Sequence, residues 1–233
     1  PGFFLSLMLT DMANIILVAG TYYGGWYWED LAENLRNAGH TVFTPTLSGL
    51  DSFDPPTQAI NLDTHINDVL EIIEANQLKD VAMVGWSYGG MVITGAGART
   101  KAKVSSLIFL DTPVPKSGDR ELDLVPTWLQ DKMLLECEDG LNMRPSDVFL
   151  LYEPRMKPHP IGTKLQPLRY DEEHFGILPK TYVNSAKPGE PSIFLSQFER
   201  IANEPGWTRI SLPYGHDLYR DAPAEIERII LNS

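Results

Sequence analysis

A buried strand running straight into Gly85-Trp86-Ser87-Tyr88-Gly89, with a helix after it, restricts this chain more than any other feature. Val81-Ala82-Met83-Val84 is a short apolar run of the kind a sheet buries on both faces. Residues 88–100, rich in small side chains, read as the helix that follows. So sharp a turn from strand to helix forces its central residue into a strained backbone conformation, and side chains at the neighbouring glycines would collide. The serine hydroxyl is then lifted clear of the backbone beside a helix N-terminus, which favours developing negative charge. A G-x-S-x-G pentapeptide alone is weak evidence. Between a strand and a helix it points to a nucleophile at Ser87.

The rest of the chain keeps the same rhythm. Ile15-Ile16-Leu17-Val18, residues 41–43, Leu107-Ile108-Phe109-Leu110, residues 180–183 and residues 208–212 read as strands. Trp28, Leu31, Leu35 and Ala38 recur at helical spacing before Gly39, and Ile66, Val69, Leu70 and Ile73 give a stripe along residues 63–76. A closing helix is expected around residues 222–231, and residues 46–61 read as a loop. Strands alternating with helices imply an α/β fold, a mostly parallel sheet flanked by helices on both faces. Between Pro113 and Pro179 the rhythm breaks, in a stretch rich in proline that also carries Trp128, Met133, Leu134, Leu135 and Phe149. It is too long for a plain loop in a compact domain. It is read as an inserted, mainly helical cap at 113–179, which leaves 12–112 and 180–233 as the core. Residues 1–11 are apolar but too short to span a bilayer and lack a basic leader region, so they are expected to be a non-core N-terminal extension, with Met12 as a natural start.

A formal net charge of -12 argues against a nucleic-acid partner and against docking on an anionic membrane. The single cysteine, Cys137, excludes an intramolecular disulfide and is expected to be a packing or surface residue. No Cys/His cluster has metal-ligand spacing, so no metal is expected, and a cytoplasmic location is the reading. The glycine-rich segment Ala19-Gly20-Thr21-Tyr22-Tyr23-Gly24-Gly25 lacks both the Gly-Lys-Ser/Thr ending of a phosphate loop and a G-x-G-x-x-G fingerprint, so it reads as neither kind of nucleotide loop.

A serine hydroxyl needs a base to take its proton. Of the five histidines, only His216 follows a late strand, in Pro213-Tyr214-Gly215-His216-Asp217. His40 and His65 read as surface or capping residues, and His159 and His174 fall in the cap. The acid that fixes the imidazole tautomer has two candidates. Glu190 is the only carboxylate just after the penultimate strand, and Asp111 closes the strand that follows the nucleophile strand. Asp111 is preferred, with Glu190 kept as the alternative acid. The oxyanion hole needs two backbone N–H groups, expected from Tyr88 and from Thr21 in the loop after the first strand. Tyr22 and Trp86 are expected to line the substrate pocket.

Four segments together resemble the plant-type methylesterase and hydroxynitrile lyase branch of the α/β-hydrolases and its bacterial esterase relatives. They are Ile16 to Trp28 (ILVAGTYYGGWYW), Gly85 to Val92 (GWSYGGMV), and Leu110-Asp111-Thr112-Pro113-Val114-Pro115 with Gly215-His216-Asp217. The resemblance implies the α/β-hydrolase fold with a helical cap, no cofactor, and small hydrophobic or aromatic esters as substrates. It also implies Ser87 as nucleophile, His216 as base, and the amides of Thr21 and Tyr88 as oxyanion donors. Two departures stand out. Family members usually carry His-Gly where this chain has Ala19-Gly20, and no aspartate follows the penultimate strand. The leading expectation is therefore a serine hydrolase working through an acyl-enzyme. The alternatives are a cofactor-free lyase and a non-catalytic small-molecule receptor. Resembling lyases place a lysine directly after the histidine to stabilise cyanide, and Asp217 has the wrong charge for that task.

Overall fold

The computed structural model describes residues 12–53 and 60–233, so the expectations for residues 1–11 and for most of the 46–61 loop's outer part (54–59) lie outside the described residues. The core begins β1 (Asn14–Val18), α1 (Glu29–Asn37), β2 (Thr41–Phe43), α2 (Leu62–Ala75), β3 (Val81–Trp86), α3 (Gly89–Arg99) and β4 (Val104–Leu110). An inserted segment follows with α4 (Thr127–Leu135), β5 (Asn142–Met143), α5 (Asp147–Tyr152), β6 (His159–Pro160), α6 (Gly162–Leu165) and α7 (Glu172–Ile177). The chain then returns to the sheet through β7 (Lys180–Ser185), α8 (Leu195–Arg200), β8 (Trp207–Leu212), α9 (Leu218–Asp221) and α10 (Pro223–Leu231).

Six strands form one sheet in the order β2-β1-β3-β4-β7-β8, and every neighbouring pair is parallel. Alternation along the strands divides the apolar side chains between two cores. Ile15 and Leu17 of β1 pack with α1 and α10, while Ile16 and Val18 pack with α2 and α3 on the opposite face. Each of these four is at most 1% exposed, and burying such a side chain stabilises the fold by about 1.5–3 kcal/mol. Local signals set the helix ends. Asn61 and Thr64 form a reciprocal capping box at the start of α2, Pro223 opens α10, and Gly39 supplies the left-handed residue that ends α1.

β4 starts three residues before the apolar run that marks it, because Ser105 and Ser106 interrupt the hydrophobic signal. α8 has only six residues, too few for a helical stripe to stand out. The insertion is mostly short helices, but β5 and β6 make an antiparallel ribbon with two residues per strand, which no periodicity could reveal. Its polypeptide folds back over the strand ends, where Lys157 N donates to Tyr22 O at 3.0 Å. Among the described residues, no helix is long and apolar enough to cross a membrane.

The turn between β3 and α3 depends on close backbone contact. A Cβ at Gly85 would lie 2.6 Å from Gly89 O, and one at Gly89 would lie 2.5 Å from Val18 O. Both obstacles are backbone and neither can swing aside. Gly89→Ala is therefore expected to lower the stability by about 2–3 kcal/mol, the scale of an overpacked core. Urea unfolding of the variant measures this, and a midpoint equal to wild type would contradict the close approach of α3 to β1.

Candidate active site

The tight turn holds Ser87 at φ +53°, the left-handed region that a residue with a side chain rarely adopts. Ser87 N donates to Leu110 O and Ser87 O accepts from Gly90 N, so the strained residue is tied to both β4 and α3. Asp111 follows β4 directly, also at positive φ (+46°), and is fully buried. His216 lies between β8 and α9, and its carbonyl accepts from Trp86 Nε1 at 2.8 Å. These strand ends bring His216 Nδ1 within 2.7 Å of Asp111 Oδ2. The other carboxylate oxygen of Asp111 accepts from Ser192 Oγ at 2.5 Å and from Ser185 N at 3.3 Å. With Nδ1–H donated to the carboxylate, a neutral imidazole keeps its lone pair on Nε2.

Ser87, Asp111 and His216 line one cavity of about 510 Å³. Among the described residues Ser87 Oγ makes no hydrogen bond. Such bonds are often long in free enzymes and tighten when substrate binds. Glu190 also lines the cavity, but it is exposed and its carboxylate accepts from Lys187 Nζ at 2.9 Å rather than reaching His216. Ser185 and Ser192, which hold Asp111 from β7 and the loop beyond it, carry no sequence signal that would have singled them out.

Two amides beside Ser87 are free. Among the described residues, neither Thr21 N nor Tyr88 N donates a hydrogen bond, although Tyr88 is wholly buried. The loop carrying Thr21 turns tightly, with Tyr23 N donating to Gly20 O at 3.2 Å and Tyr22 at φ +72°. Its support comes from the insertion. His159 Nδ1 accepts from Tyr22 N at 3.4 Å, and Lys164 Nζ donates to Thr21 Oγ1 at 2.8 Å. The same ammonium stands 3.8 Å from the centre of the Tyr88 ring. Tyr88 OH donates in turn to His65 Nδ1 at 2.8 Å, and His65 Nε2–H donates to Ser48 O at 2.9 Å. Burial pulls the Lys164 ammonium down to about 8, although Glu121 beside it opposes the shift.

The structure corrects two sequence expectations. His65 is no surface or capping residue but lies fully buried inside α2, and His40 is buried too, accepting from Ala13 N at 3.2 Å. His159 is equally buried in β6, the second strand of the insertion's ribbon. Both ring nitrogens of His65 and of His159 are paired, which is what lets a polar residue replace an apolar one on an inward face.

His65 and His159 are held neutral. Burial pulls His65 down to about 4 and His159 well below its ordinary value, with Lys164 adding to both shifts. In the unfolded chain each returns to about 6.5, so below that pH the unfolded state binds more protons. The stability they contribute is complete above about pH 6.5 and is lost as the pH falls, levelling off for His65 below about 4. For His65 the loss is on the order of 3 kcal/mol. Urea midpoints between pH 7 and 5 should therefore fall more steeply in wild type than in His65→Gln, and equal slopes would contradict the neutral histidine.

The expected wall residues Tyr22 and Trp86 both face the cavity. Tyr22 OH donates to Glu136 at 2.5 Å, and Trp86 stacks on Tyr27 with ring centres 4.5 Å apart. Tyr23, Trp128, Phe149 and Tyr152 add aromatic surface to the same wall. Asp217, beside His216, accepts from Tyr27 OH and caps α9 through Arg220 N. Burial raises its pKa against the pull of those partners. Cys137 is half-buried and packs against the apolar cluster that the insertion shares with α1 and α10.

Comparison with known proteins gives a consistent picture. Residues 13–141 match the family model described as alpha/beta hydrolase fold. A carbendazim hydrolyzing esterase of Nocardioides sp. (strain SG-4G) is 34% identical over 235 residues, covering 92% of this chain and 97% of that protein. An alpha-hydroxynitrile lyase of Arabidopsis thaliana is 31% identical over 131 residues, covering 55% of this chain and 48% of that enzyme. Among solved structures, an extracellular alpha/beta-hydrolase from a Paenibacillus species, described as homologous to tobacco salicylic acid binding protein 2, superposes with a TM-score of 0.78. It is 19% identical and covers 94% of this chain and 98% of that one. A pyrethroid hydrolase of Sphingobium faniae JZ-2 gives a TM-score of 0.74 at 18% identity, covering 95% of this chain and 96% of its own.

Proposed function

The chain belongs to the alpha/beta hydrolase family, and from that premise we propose that it is a serine hydrolase cleaving a small hydrophobic or aromatic ester through an acyl-enzyme. Ser87 Oγ attacks the carbonyl carbon while His216 Nε2 takes its proton. Asp111 holds the imidazole by Nδ1 and stabilises its positive form. The free amides of Thr21 and Tyr88 bind the oxyanion as it develops, a contribution commonly worth ~10² or more in rate per donor. Protonated His216 then delivers its proton to the departing alkoxide. A water molecule, activated by the same nitrogen, attacks the acyl carbon and frees Ser87.

The observation that carries this reading is the 2.7 Å bond between His216 Nδ1 and Asp111 Oδ2 in the cavity that Ser87 also lines. Its aromatic wall suits a flat acyl or alcohol group. The relatives named for esters and related bonds, the carbendazim hydrolyzing esterase and the pyrethroid hydrolase, support the same substrate class. A lyase reading is disfavoured, since Asp217 is held by Tyr27 and α9 where a cyanide-stabilising cation would be needed.

Rapid mixing with p-nitrophenyl acetate tests the proposal. About one equivalent of p-nitrophenol per protein is expected in a burst, and quenched protein should carry an acetyl group on the peptide containing Ser87. With neither burst nor adduct, a receptor built on the same fold becomes the better description.

A further inference from the structure

Lys164 lies on α6 of the insertion and is fully buried. Taking an ammonium out of water costs several kcal/mol, which only well-placed partners offset. Among the described residues one other lysine, Lys180, is nearly as deep, and it donates to the carbonyls of Phe175, Gly176 and Leu178 at the end of α7. That is a structural use, a helix end closed by a cation. Lys164 is placed differently. Its ion pair with Glu121, on a short 3-10 turn (Glu121–Leu124), measures 2.7 Å and stays within the insertion. Its other contacts cross to the core. Nζ donates to Thr21 Oγ1 at 2.8 Å and stands 3.8 Å from the centre of the Tyr88 ring. Thr21 and Tyr88 are the two residues whose amides the proposed mechanism aims at the oxyanion.

Oxyanion donors must be fixed before charge develops, since a misplacement of about 1 Å can cost roughly 10² in rate. Tyr88 opens α3 and is set by the nucleophile turn. Thr21 lies on a loop, with Tyr22 beside it at φ +72°, and leans on side-chain partners. Lys164 grips its hydroxyl, and His159 Nδ1 accepts from the next amide, Tyr22 N, at 3.4 Å. His159 Nε2 in turn meets Thr163 Oγ1, one residue before Lys164, at 2.9 Å. One ammonium thus ties the loop of one donor to the ring of the other. A neutral amine would leave the Glu121 carboxylate buried without its counter-ion and lose the attraction to the Tyr88 ring.

We propose that Lys164 is a positioning residue: by holding Thr21 Oγ1 and seating the Tyr88 ring, its ammonium sets the spacing of the two oxyanion amides. The inference rests on the ester hydrolysis proposed above and names a group that tunes it. Around the ammonium stand Glu121 from the turn, His159 from β6, His65 from α2 and Tyr88 from the start of α3. Asp63 and Asp68 of α2 are engaged by Arg99 and Ser48. Both histidines are neutral, and burial keeps the Tyr88 proton on far above its ordinary range. Burial raises Glu121 against the pull of Lys164 and lowers Lys164 to about 8. As the pH rises through that value the ammonium proton leaves and the hold on Thr21 weakens.

Thr21→Val removes the hydroxyl but keeps the amide and the branched side chain, whereas Thr21→Ser keeps the hydroxyl. With p-nitrophenyl acetate, Thr21→Val should lose about ten- to hundredfold in kcat with KM within about threefold, and Thr21→Ser should stay within about threefold in both. Glu121→Leu/Lys164→Met removes both charges together, a replacement that buried ion pairs often tolerate. Its kcat should fall by a similar factor, and adding Thr21→Val to it should cost about twofold or less, because both act through one contact. Wild-type kcat should also decline as the pH rises through about 8, and the double variant should lack that decline. Full kcat in Thr21→Val, losses that multiply in the triple variant, or an alkaline decline missing from wild type or unchanged in the double variant would overturn the role of Lys164 while leaving ester hydrolysis intact. Absence of any wild-type turnover would strike the reaction and this role with it. Urea midpoints identify a variant that has failed to fold, and Thr21→Val against Thr21→Ser then decides alone.

Discussion

Ser87→Ala is expected to lower kcat for p-nitrophenyl acetate by roughly 10⁴ to 10⁶, with little change in stability. Alanine keeps the Cβ, so the cost of φ +53° in this turn is nearly the same with either residue. Ser87 Oγ makes no hydrogen bond among the described residues, so its removal strands no buried partner. What disappears is the nucleophile alone. The Thr21 and Tyr88 amides and the aromatic wall persist, so residual catalysis above the rate in water is expected from oxyanion binding. His216→Ala should fall by a similar factor. Ser87→Ala/His216→Ala should be no worse than either single variant, because a base without its nucleophile has nothing to deprotonate. Steady-state kinetics with urea midpoints as the folding control measures this. If Ser87→Ala kept a tenth or more of the wild-type kcat with an unchanged midpoint, catalysis would not pass through this serine.

The elements that make this site divide sharply by how far their signals reach along the chain. Ser87 was legible because its determinants are contiguous: an apolar strand, two glycines and a small-residue helix within some twenty residues. His216 was legible by position, as the one histidine after a late strand. The buried polar layer behind the Thr21 loop was not. His65, His159, Lys164 and Glu121 are scattered from α2 to α6, and each looks like a surface residue in its own segment. Only tertiary contact gives them partners. The resemblance implies a histidine where this chain has Ala19, so the loop lacks that local support. Here the loop is braced from the insertion instead, by His159 to Tyr22 N and Lys164 to Thr21 Oγ1. The insertion thus bears on chemistry as well as on pocket shape, which a reading of its composition could not show.

The acid is where sequence left two answers, and the proposed role of Asp111 rests on its 2.7 Å contact with His216 Nδ1. Asp111→Asn is expected to reduce kcat by about 10³–10⁴ while KM changes little, and Glu190→Gln to stay within about threefold of wild type. The reason lies in donors and acceptors. The amide nitrogen of an asparagine at 111 donates and cannot accept Nδ1–H. With its oxygen drawn to Ser192 Oγ and Ser185 N, that nitrogen faces His216 and favours the tautomer whose proton sits on Nε2. Such an imidazole cannot take the proton of Ser87. Removing the carboxylate also withdraws the charge that stabilises imidazolium, and at a fully buried position no solvent replaces it. Glu190 stands exposed beside Lys187, where a lost ion pair is worth at most about 1 kcal/mol. Raising the pH should restore part of the Asp111→Asn activity, since hydroxide can replace a base held in the wrong tautomer. Measured kcat for both variants, with circular dichroism confirming the fold, decides the matter. A large loss confined to Glu190→Gln would move the acid to the loop after β7 and leave the 2.7 Å contact of Asp111 a structural one.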